Sequence, residues 1–260
     1  MESKEFDVLF SRLDDYSRQA ERGEVAISSF LSPRELRFAS EYVAVGRKRF
    51  VTFGGYESAE RCRLYLLPEY MEDVDTPRDL WEYGIESEIR VIRVKGSGYR
   101  VFSHRDFLGS LLALGLERAV IGDIVVDSDG CGAYIFCDRK ISGFIIAECD
   151  RIGNDKVKCE ECVIDSNFSV ERKTEAISDT VSSPRLDCIV AALVSVSREK
   201  AKEIVLGGFC EVDFEVEERC DRAVNDNSLI SIRGYGRFRV VSVSGKTKKG
   251  RIRLLAEKFI

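Results

Sequence analysis

The first third of the chain combines a helical pattern with two short strand patterns. Phe6, Leu9 and Leu13 follow the 3.6-residue period of one helix face. A Ser-Pro cap signal predicts a second helix, and two apolar runs around a Gly-Gly-Tyr turn predict strands. The predicted segments are a helix over 5–19, a helix from Ser32 onward, and strands at 49–53 and 61–67. We therefore predict a small N-terminal α/β domain over residues 1–75.

Residues 76–164 show a more regular alternation of strand and helix patterns. The predicted elements are a strand from Ile89, a helix at 106–114, strands at 119–126 and 133–136, a helix at 140–149, and a strand at 157–164. The order βαββαβ is typical of the ferredoxin-like fold, which includes the RNA-recognition motif (RRM). We predict a central ferredoxin-like, RRM-like domain, although this fold supports many unrelated activities.

The remainder of the chain divides into a polar stretch and a last module. Residues 165–182 are rich in Ser, Thr and Glu and are predicted to be a linker. Ser183-Pro184 has the form of a helix cap followed by a first-turn proline, and Ser197 caps a second short helix that ends at Gly207-Gly208. With the strand patterns that follow, residues 183–260 form a third domain, so the fold class is α+β with three small domains.

The composition is that of an ordinary globular protein, with 44% hydrophobic and 33% charged residues. The sequence lacks the basic start and apolar core of a secretory signal, and it lacks an apolar run of membrane-spanning length. We therefore expect a cytoplasmic protein without membrane contact. The nine cysteines are scattered and odd in number, which favours reduced thiols.

Charge is distributed unevenly along the chain. The net charge is −5, yet residues 228–260 carry nine Lys or Arg against the single acid Glu257. This segment alone therefore has a net charge of +8, and the other 227 residues sum to −13. Such an asymmetry indicates a local surface that binds a polyanion.

Two basic features of the last module suit nucleic acid. Arg198 and Lys202 are four residues apart on one helix face, and the helix N-terminus adds unpaired N–H groups that favour phosphate. Downstream, Arg237 and Arg239 share a strand face, and Tyr235 between two glycines could stack on a base. Each feature alone is more often a solvated helix face or a soluble strand edge. Their clustering favours RNA binding.

These motifs resemble a known family. Arg185-Leu186-Asp187, Ser197-Arg198-Glu199-Lys200-Ala201 and Arg233-Gly234-Tyr235-Gly236-Arg237-Phe238 are similar to the S-four-type (alpha-L) RNA-binding domain, and the whole chain resembles the bacterial YlmH family. His104-Arg105-Asp106-Phe107-Leu108-Gly109, Gly122-Asp123-Ile124, Gly54-Gly55-Tyr56 and Ala59-Glu60-Arg61 extend the resemblance. The resemblance implies a factor of ribosome quality control that recognises large subunits still holding peptidyl-tRNA, with its alpha-L domain between ribosomal RNA and tRNA.

The candidate RNA-binding residues combine those implied by the resemblance with the basic turn between the last two strands. They are Arg185, Ser197, Arg198, Lys200, Lys202, Arg233, Tyr235, Arg237, Arg239, Lys246, Lys248, Lys249 and Arg251. The segment 211–218 is more acidic than the family pattern, so we expect that edge to face solvent or a basic protein.

Three motifs point to other chemistry and are weaker. His104-Arg105-Asp106 resembles a kinase catalytic loop, but Leu111 stands where that loop requires Asn. Cys159 and Cys162 have metal-knuckle spacing without a second ligand pair, and in a strand they would point to opposite faces. Tyr134 and Phe136 in the central domain could stack on bases as in an RRM, or could equally belong to the core.

Two other function classes stay open. Alpha-L modules also occur in RNA-modifying enzymes, but the sequence has no Gly-x-Gly-x-x-Gly motif or other nucleotide signature. The second alternative is an adaptor, linked for example to cell division, that binds proteins through its acidic first half. We expect a protein that is not an enzyme and has no metal, cofactor or small-molecule substrate.

Overall fold

The structure is a computed structural model that describes residues 3–84, 88–165, 168–170, 174–247 and 250–259. The chain forms two compact units, residues 1–170 and 171–260, so the boundary predicted at residue 75 lies inside the first unit. The helices are α1 (Ser3–Glu21), α2 (Pro33–Val45), α3 (Asp79–Glu82), α4 (His104–Ala113), α5 (Arg139–Glu148), α6 (Leu186–Leu193) and α7 (Arg198–Leu206).

The strands are β1 (Ala26–Ile27), β2 (Phe50–Phe53), β3 (Arg63–Leu66), β4 (Ile89–Lys95), β5 (Ile121–Val126), β6 (Gly132–Asp138), β7 (Arg151–Ile152), β8 (Asp155–Lys156), β9 (Lys158–Cys162), β10 (Thr174–Val181), β11 (Cys210–Val212), β12 (Glu215–Val216), β13 (Leu229–Ile232), β14 (Gly236–Lys246) and β15 (Ile252–Phe259). No helix of the described segments is both long and apolar enough to span a bilayer.

The first part of the N-terminal unit places α1 and α2 against the small antiparallel sheet β1-β3-β2. The apolar face of α1 is buried through Leu13, which packs with residues of α2 and β3. The predicted start of α2 is confirmed: the Ser32 hydroxyl accepts the Glu35 N–H at 3.3 Å, and the Glu35 carboxylate accepts the Ser32 N–H at 2.7 Å. This reciprocal pair is a capping box.

The central part confirms the predicted βαββαβ order. Its sheet has the strand order β5-β6-β4-β9 with antiparallel neighbours, which is the ferredoxin-like order. Inward-facing Ile92, Val94 and Ile135 pack with Phe107 of α4 and Ile145 of α5, so both helices cover one face. The pattern did not predict the short β7-β8 hairpin.

The second unit is built on a six-stranded antiparallel sheet in the order β10-β15-β14-β13-β11-β12. Helices α6 and α7 pack on one face, where Ile189 and Val205 contact Ile230, Phe238 and Val240.

The predicted linker is wrong for residues 174–181. These residues form β10, which pairs with β15 along its entire length. Val181 is buried and Ile177 packs on the core, while the other side chains of this edge strand are mostly exposed. An edge strand with exposed polar side chains has the same composition as a linker, so the composition of this segment led to the wrong prediction.

The predicted cap of α6 is also wrong. The helix begins at Leu186, with Arg185 as its N-cap. Its first N–H groups are satisfied from a distant loop: Leu186 donates to the Arg222 carbonyl at 2.9 Å, and Asp187 donates to the Cys220 carbonyl at 3.1 Å. These backbone carbonyls take the place of a side-chain cap. The helix therefore begins two residues later than the Ser-Pro pattern predicts.

Candidate RNA-binding surface

A buried carboxylate organises two of the predicted arginines. The Asp187 side chain, in the first turn of α6, is fully buried. Arg185 donates from Nε to Asp187 Oδ1 at 3.1 Å, and Arg198 of the neighbouring helix donates from Nε to Oδ2 at 3.0 Å. Both guanidinium groups stay about half exposed, at 40% and 47%. We call this arrangement the Arg185–Asp187–Arg198 fork.

The fork keeps Asp187 ionised. Burial pushes the pKa of Asp187 upward, but the hydrogen bonds and charges of Arg185 and Arg198 outweigh burial, so its pKa lies below the usual range. The net charge of the fork is +1, and N–H groups that Asp187 does not use remain on the outer side of each guanidinium. Asp187 was not among the predicted site residues; the available signal was an acid at the start of the apolar run 186–193.

The start of α7 lies beside the fork. The Ser197 hydroxyl caps the helix by accepting the Lys200 N–H at 3.2 Å, as predicted. Lys200 forms an ion pair with Glu203 at 2.8 Å, which raises the pKa of Lys200, with a smaller contribution from nearby Tyr235. Lys202 is exposed on the same helix. Because Tyr235 at the tip of the β13-β14 hairpin is close enough to interact with Lys200, the structure brings together α7 and this tip.

The tip of the β13-β14 hairpin exposes its side chains to solvent. Gly234 adopts φ +87°, a conformation that favours glycine, and Tyr235 is 38% exposed. The exposed Arg233 lies with its guanidinium carbon 5.8 Å from the ring centroid of Phe209, a cation–π contact that restricts the side chain.

Arg237 and Arg239 lie on a different face. They alternate along β14 with buried Phe238 and Val240, which face the helices, so both arginines lie on the opposite side of the sheet. Their guanidinium carbons are 5.9 Å from the ring of Phe214 and 5.5 Å from the ring of Phe259, respectively. The predicted residues thus divide between two faces of the second unit.

The basic turn is only partly described. Lys248, Lys249 and the side chain of Lys246 lie outside the described residues. Arg251 donates to the hydroxyl of Thr180 at 2.9 Å and also to the Thr180 carbonyl, so its guanidinium ties the turn to β10.

The acidic segment 211–218 has a structural role at one position. Glu217 is buried, and its carboxylate accepts from Arg219 at 3.1 Å and from Arg222 at 2.9 Å. The Arg219 hydrogen bond is the largest influence on the pKa of Glu217; burial opposes it, and the net result is a pKa lowered to about 2. Glu217 thereby fixes the loop whose Cys220 and Arg222 carbonyls hold the start of α6.

Replacing Glu217 with Gln should destabilise the second unit and weaken its pH dependence. A depressed pKa adds stability above the unfolded-state value, 4.5, and this contribution is lost as pH falls towards 2. We expect Glu217→Gln to cost about 2 kcal/mol at pH 7 and nothing near pH 2. Urea unfolding followed by circular dichroism at pH 7, 4.5 and 3 measures this; an equal cost at pH 7 and pH 3 would contradict the assignment.

The sheet face that an RRM uses for RNA is covered in the first unit. Tyr134 and Phe136 point away from α4 and α5, but Phe136 is fully buried beneath Tyr56, with ring centroids 4.9 Å apart. Phe168 contacts the rings of Tyr134 and Phe136, at 5.2 and 5.9 Å. The cation Arg93 on this face is paired with Asp127 at 2.9 Å. Phe136 therefore belongs to the core, and Tyr134 is partly buried between Phe168 and the guanidinium of Arg93.

The Gly-Gly-Tyr, Ala-Glu-Arg and Gly-Asp motifs join the two parts of this unit. Asp123 accepts from the Tyr56 hydroxyl at 2.7 Å and from the N–H groups of Glu60 and Arg61 at 2.8 and 3.0 Å. The buried Arg61 guanidinium donates to three backbone carbonyls, those of Phe30, Arg118 and Ile121. The Gly-Gly-Tyr, Ala-Glu-Arg and Gly-Asp motifs thus have a structural role.

The kinase-like motif and the Cys159–Cys162 pair also have structural explanations. Asp106 closes a capping box with Ser103, as expected for a structural helix start, and burial together with Arg118 lowers the pKa of His104. Cys159 and Cys162 occupy opposite faces of β9, packing on different clusters. Among the residues that the structure describes, no three potential ligands form a metal cluster.

Comparisons with known proteins agree with this architecture. Residues 7–71 match the family profile "YlmH, N-terminal", and residues 86–166 match "Putative RNA-binding domain in YlmH". A Bacillus subtilis (strain 168) protein named ribosome-associated protein quality control protein P2 is 29% identical over 238 residues, 92% of this chain and 89% of the relative. The solved structure of cell division protein ylmH from Streptococcus pneumoniae shares the fold, with 20% identity and a TM-score of 0.50 over 63% of this chain and 92% of that chain. The two matched segments and the relative that spans nearly the whole length show that the chain belongs to the YlmH family.

Proposed function

We propose that this protein binds structured RNA of the large ribosomal subunit, both ribosomal RNA and peptidyl-tRNA, in ribosome-associated quality control. The second unit acts as an alpha-L module, and the protein acts by binding, without catalysis. The observation that carries the proposal is the Arg185–Asp187–Arg198 fork beside the Ser197-capped start of α7. The relative named for ribosome-associated quality control supports the biological setting, which would place the protein in the cytoplasm.

The Arg185–Asp187–Arg198 fork holds two guanidinium groups in place for phosphate. Two guanidinium groups fixed on one carboxylate lose little side-chain entropy when each donates to a phosphate. The principal face therefore comprises the cations on the helix side and at the hairpin tip: Arg185, Arg198, Lys200, Lys202 and Arg233. Tyr235 supplies an exposed ring for stacking.

The central domain takes a supporting role in this proposal. Its family profile carries an RNA-binding description, but its aromatic sheet face is occupied by Tyr56 and Phe168. Cations along β4 are engaged with acids, among them Lys95 with Glu160 at 2.7 Å. RNA contact by this domain would use the surface outside that sheet face.

Co-sedimentation with ribosomes tests the proposal. Tagged protein from lysate is separated on a sucrose gradient, and the bound RNA is sequenced. Enrichment on free large subunits with tRNA is expected. If about five cations engage phosphates, log affinity for isolated subunits should fall with log salt at a slope of roughly −4.

Absence of the protein from all ribosomal fractions would refute the ribosomal role and favour a protein adaptor. That second candidate draws on the net charge of −13 over residues 1–227.

A further inference from the structure

Three loops of the central domain meet at one end of its sheet, which we call the three-loop end. They are the β4–α4 loop (96–103), the β5–β6 turn (127–131) and the β7-β8 hairpin (151–156). The β4–α4 loop is tied to the β5–β6 turn at both of its ends. Gly96 donates to the Cys131 carbonyl at 2.8 Å, and Phe102 donates to the Gly130 carbonyl at 2.8 Å.

The β7-β8 hairpin packs against the same β4–α4 loop. The Ser97 hydroxyl donates to the Asp155 carboxylate at 2.8 Å. Arg100 lies along the turn of the hairpin, because its Nη1 is 3.3 Å from the position that a Cβ on Gly153 would take. The Arg100 guanidinium carbon is also 5.6 Å from the ring centroid of Phe102. These contacts hold the β4–α4 loop in place from two sides.

The fixed loop exposes an aromatic ring to solvent. Tyr99 is 97% exposed, and Val101 close by is 74% exposed. Gly98 precedes the ring with φ +84°, a conformation that favours glycine and turns the chain outward. Because the loop is already held by its neighbours, stacking a planar group on Tyr99 would cost little further conformational entropy.

Two cations lie side by side on the β7-β8 hairpin. Arg151 and Lys156 are directly opposite each other in the pairing, and both are exposed. Ile152 is fully buried, so the alternation along the strand directs Arg151 and Lys156 away from the core. Neither cation forms an ion pair with a carboxylate of the described residues. Like charges directly opposite each other are destabilising, and a phosphate between them would relieve the repulsion.

The acids of the three-loop end already have partners within the protein. Asp127 accepts from Arg93 at 2.9 Å, Asp129 accepts the Cys131 N–H at 2.8 Å, and Asp155 accepts from Ser97. These three acids balance Arg100, Arg151 and Lys156, so the three loops carry no net charge. Ligand binding would therefore depend on the Tyr99 ring and on the two unpaired cations, with little contribution from a general positive field.

The undescribed residues nearest in the chain are joined to the other end of the sheet. Residues 85–87 precede β4, whose last residue, Lys95, leads into the three-loop end. Residues 166–167 follow β9, whose last residue, Cys162, pairs with Val91 near the start of β4. Lys95 and Lys158 are close to the loops, but both pair with Glu160 and are not assigned to the site.

We propose that the three-loop end binds an unpaired segment of RNA, with one base stacked on Tyr99 and the adjoining phosphates bound by Arg151 and Lys156. This inference rests on the proposed RNA-binding function and gives it a second contact, in the domain whose family profile carries an RNA-binding description. Unpaired RNA is the ligand that fits, because stacking on a side chain needs a free base face, which a duplex does not offer.

Fluorescence anisotropy with a labelled single-stranded RNA of twelve alternating cytidines and adenosines tests the stacking contact. The full chain carries Arg198→Gln and Lys202→Gln throughout, so that the fork contributes little to binding. Tyr99→Ala should weaken binding at least fivefold, because the stacked base is lost, and Tyr99→Phe should stay within twofold. The matched control is Tyr70→Ala, which removes another exposed ring of the same unit and should change affinity less than twofold.

The same titration tests the two cations. The Arg151→Gln, Lys156→Gln variant should weaken binding at least fivefold. The Lys95→Gln, Lys158→Gln variant has the same change in net charge and should change affinity less than twofold. With two phosphates engaged, log affinity should fall with log salt at a slope of roughly −1.4.

The exposure of Tyr99 means that its replacement should leave the fold intact. The proposal is overturned if the single strand does not bind, if a duplex of the same length binds more tightly, or if Tyr99→Ala loses no more affinity than Tyr70→Ala. Binding that depends on Tyr99, in a protein absent from all ribosomal fractions, would support this site and refute the ribosomal role. Ribosomal association with oligomer binding that does not depend on Tyr99 would do the reverse.

Discussion

Replacing both Arg198 and Lys202 with Gln should lower the affinity of the protein for isolated large subunits by about 150-fold or more. Each residue is expected to lose one charge-assisted hydrogen bond to phosphate, worth about 1.5 kcal/mol or more. Gln is the informative replacement at 198, because Glu would lie against the buried Asp187 carboxylate and destabilise the fold. With Gln, Arg185 still pairs with Asp187, so the second unit stays folded.

The matched control for this variant removes two other cations. Lys95 and Lys158 both pair with Glu160 on the surface of the central domain. The Lys95→Gln, Lys158→Gln variant has the same change in net charge, so any general electrostatic effect should appear in both. Equal loss of affinity in the two variants would remove the fork and α7 from the binding surface. Filter binding or calorimetry at a fixed salt concentration measures both.

Replacing Gly55 with Ala should destabilise the first unit by about 3 kcal/mol or more. Gly55 has φ +107°, and an added Cβ would lie 2.8 Å from Cε1 of the fully buried Phe136. Strain and overpacking therefore act together at a ring that cannot move aside. The only tryptophan, Trp81, belongs to this unit, so urea unfolding followed by tryptophan fluorescence reports on it.

Gly109 offers the opposite case in the central domain. It lies inside α4, and a Cβ there would meet open space. Gly109→Ala should therefore stabilise the unit by about 0.5–1 kcal/mol, because alanine loses less backbone entropy in a helix. If Gly55→Ala left the fluorescence transition unchanged, or shifted it to higher urea as expected for Gly109→Ala, the assignment of Gly55 to the contact between the two parts of the unit would be wrong.

Local patterns predicted the elements that are held by their own sequence. The capping box of α2, the Ser197 cap of α7 and the βαββαβ order depend on nearby residues and on periodicity, and all three were predictable. The start of α6 and the strand β10 were not, because each depends on a partner far along the chain.

The candidate site likewise has features that the sequence predicted and features that depend on distant contacts. The cationic residues could be chosen from sequence, because basic residues near glycines and a helix start stand out. The separation of Arg237 and Arg239 onto the far face follows from the position of the helices, which a strand pattern alone does not give. The role of Asp187 required the distance between two helices, and the covering of Phe136 required contacts from residues 56 and 168.

The RNA-binding surface can be mapped by crosslinking the full protein to purified large subunits and identifying the linked peptides by mass spectrometry. We expect RNA crosslinks within residues 185–202 and at the hairpin tip around Tyr235, and none at the buried Phe136. Crosslinks confined to β4 and β6 of the central domain, with none in residues 185–239, would contradict this expectation.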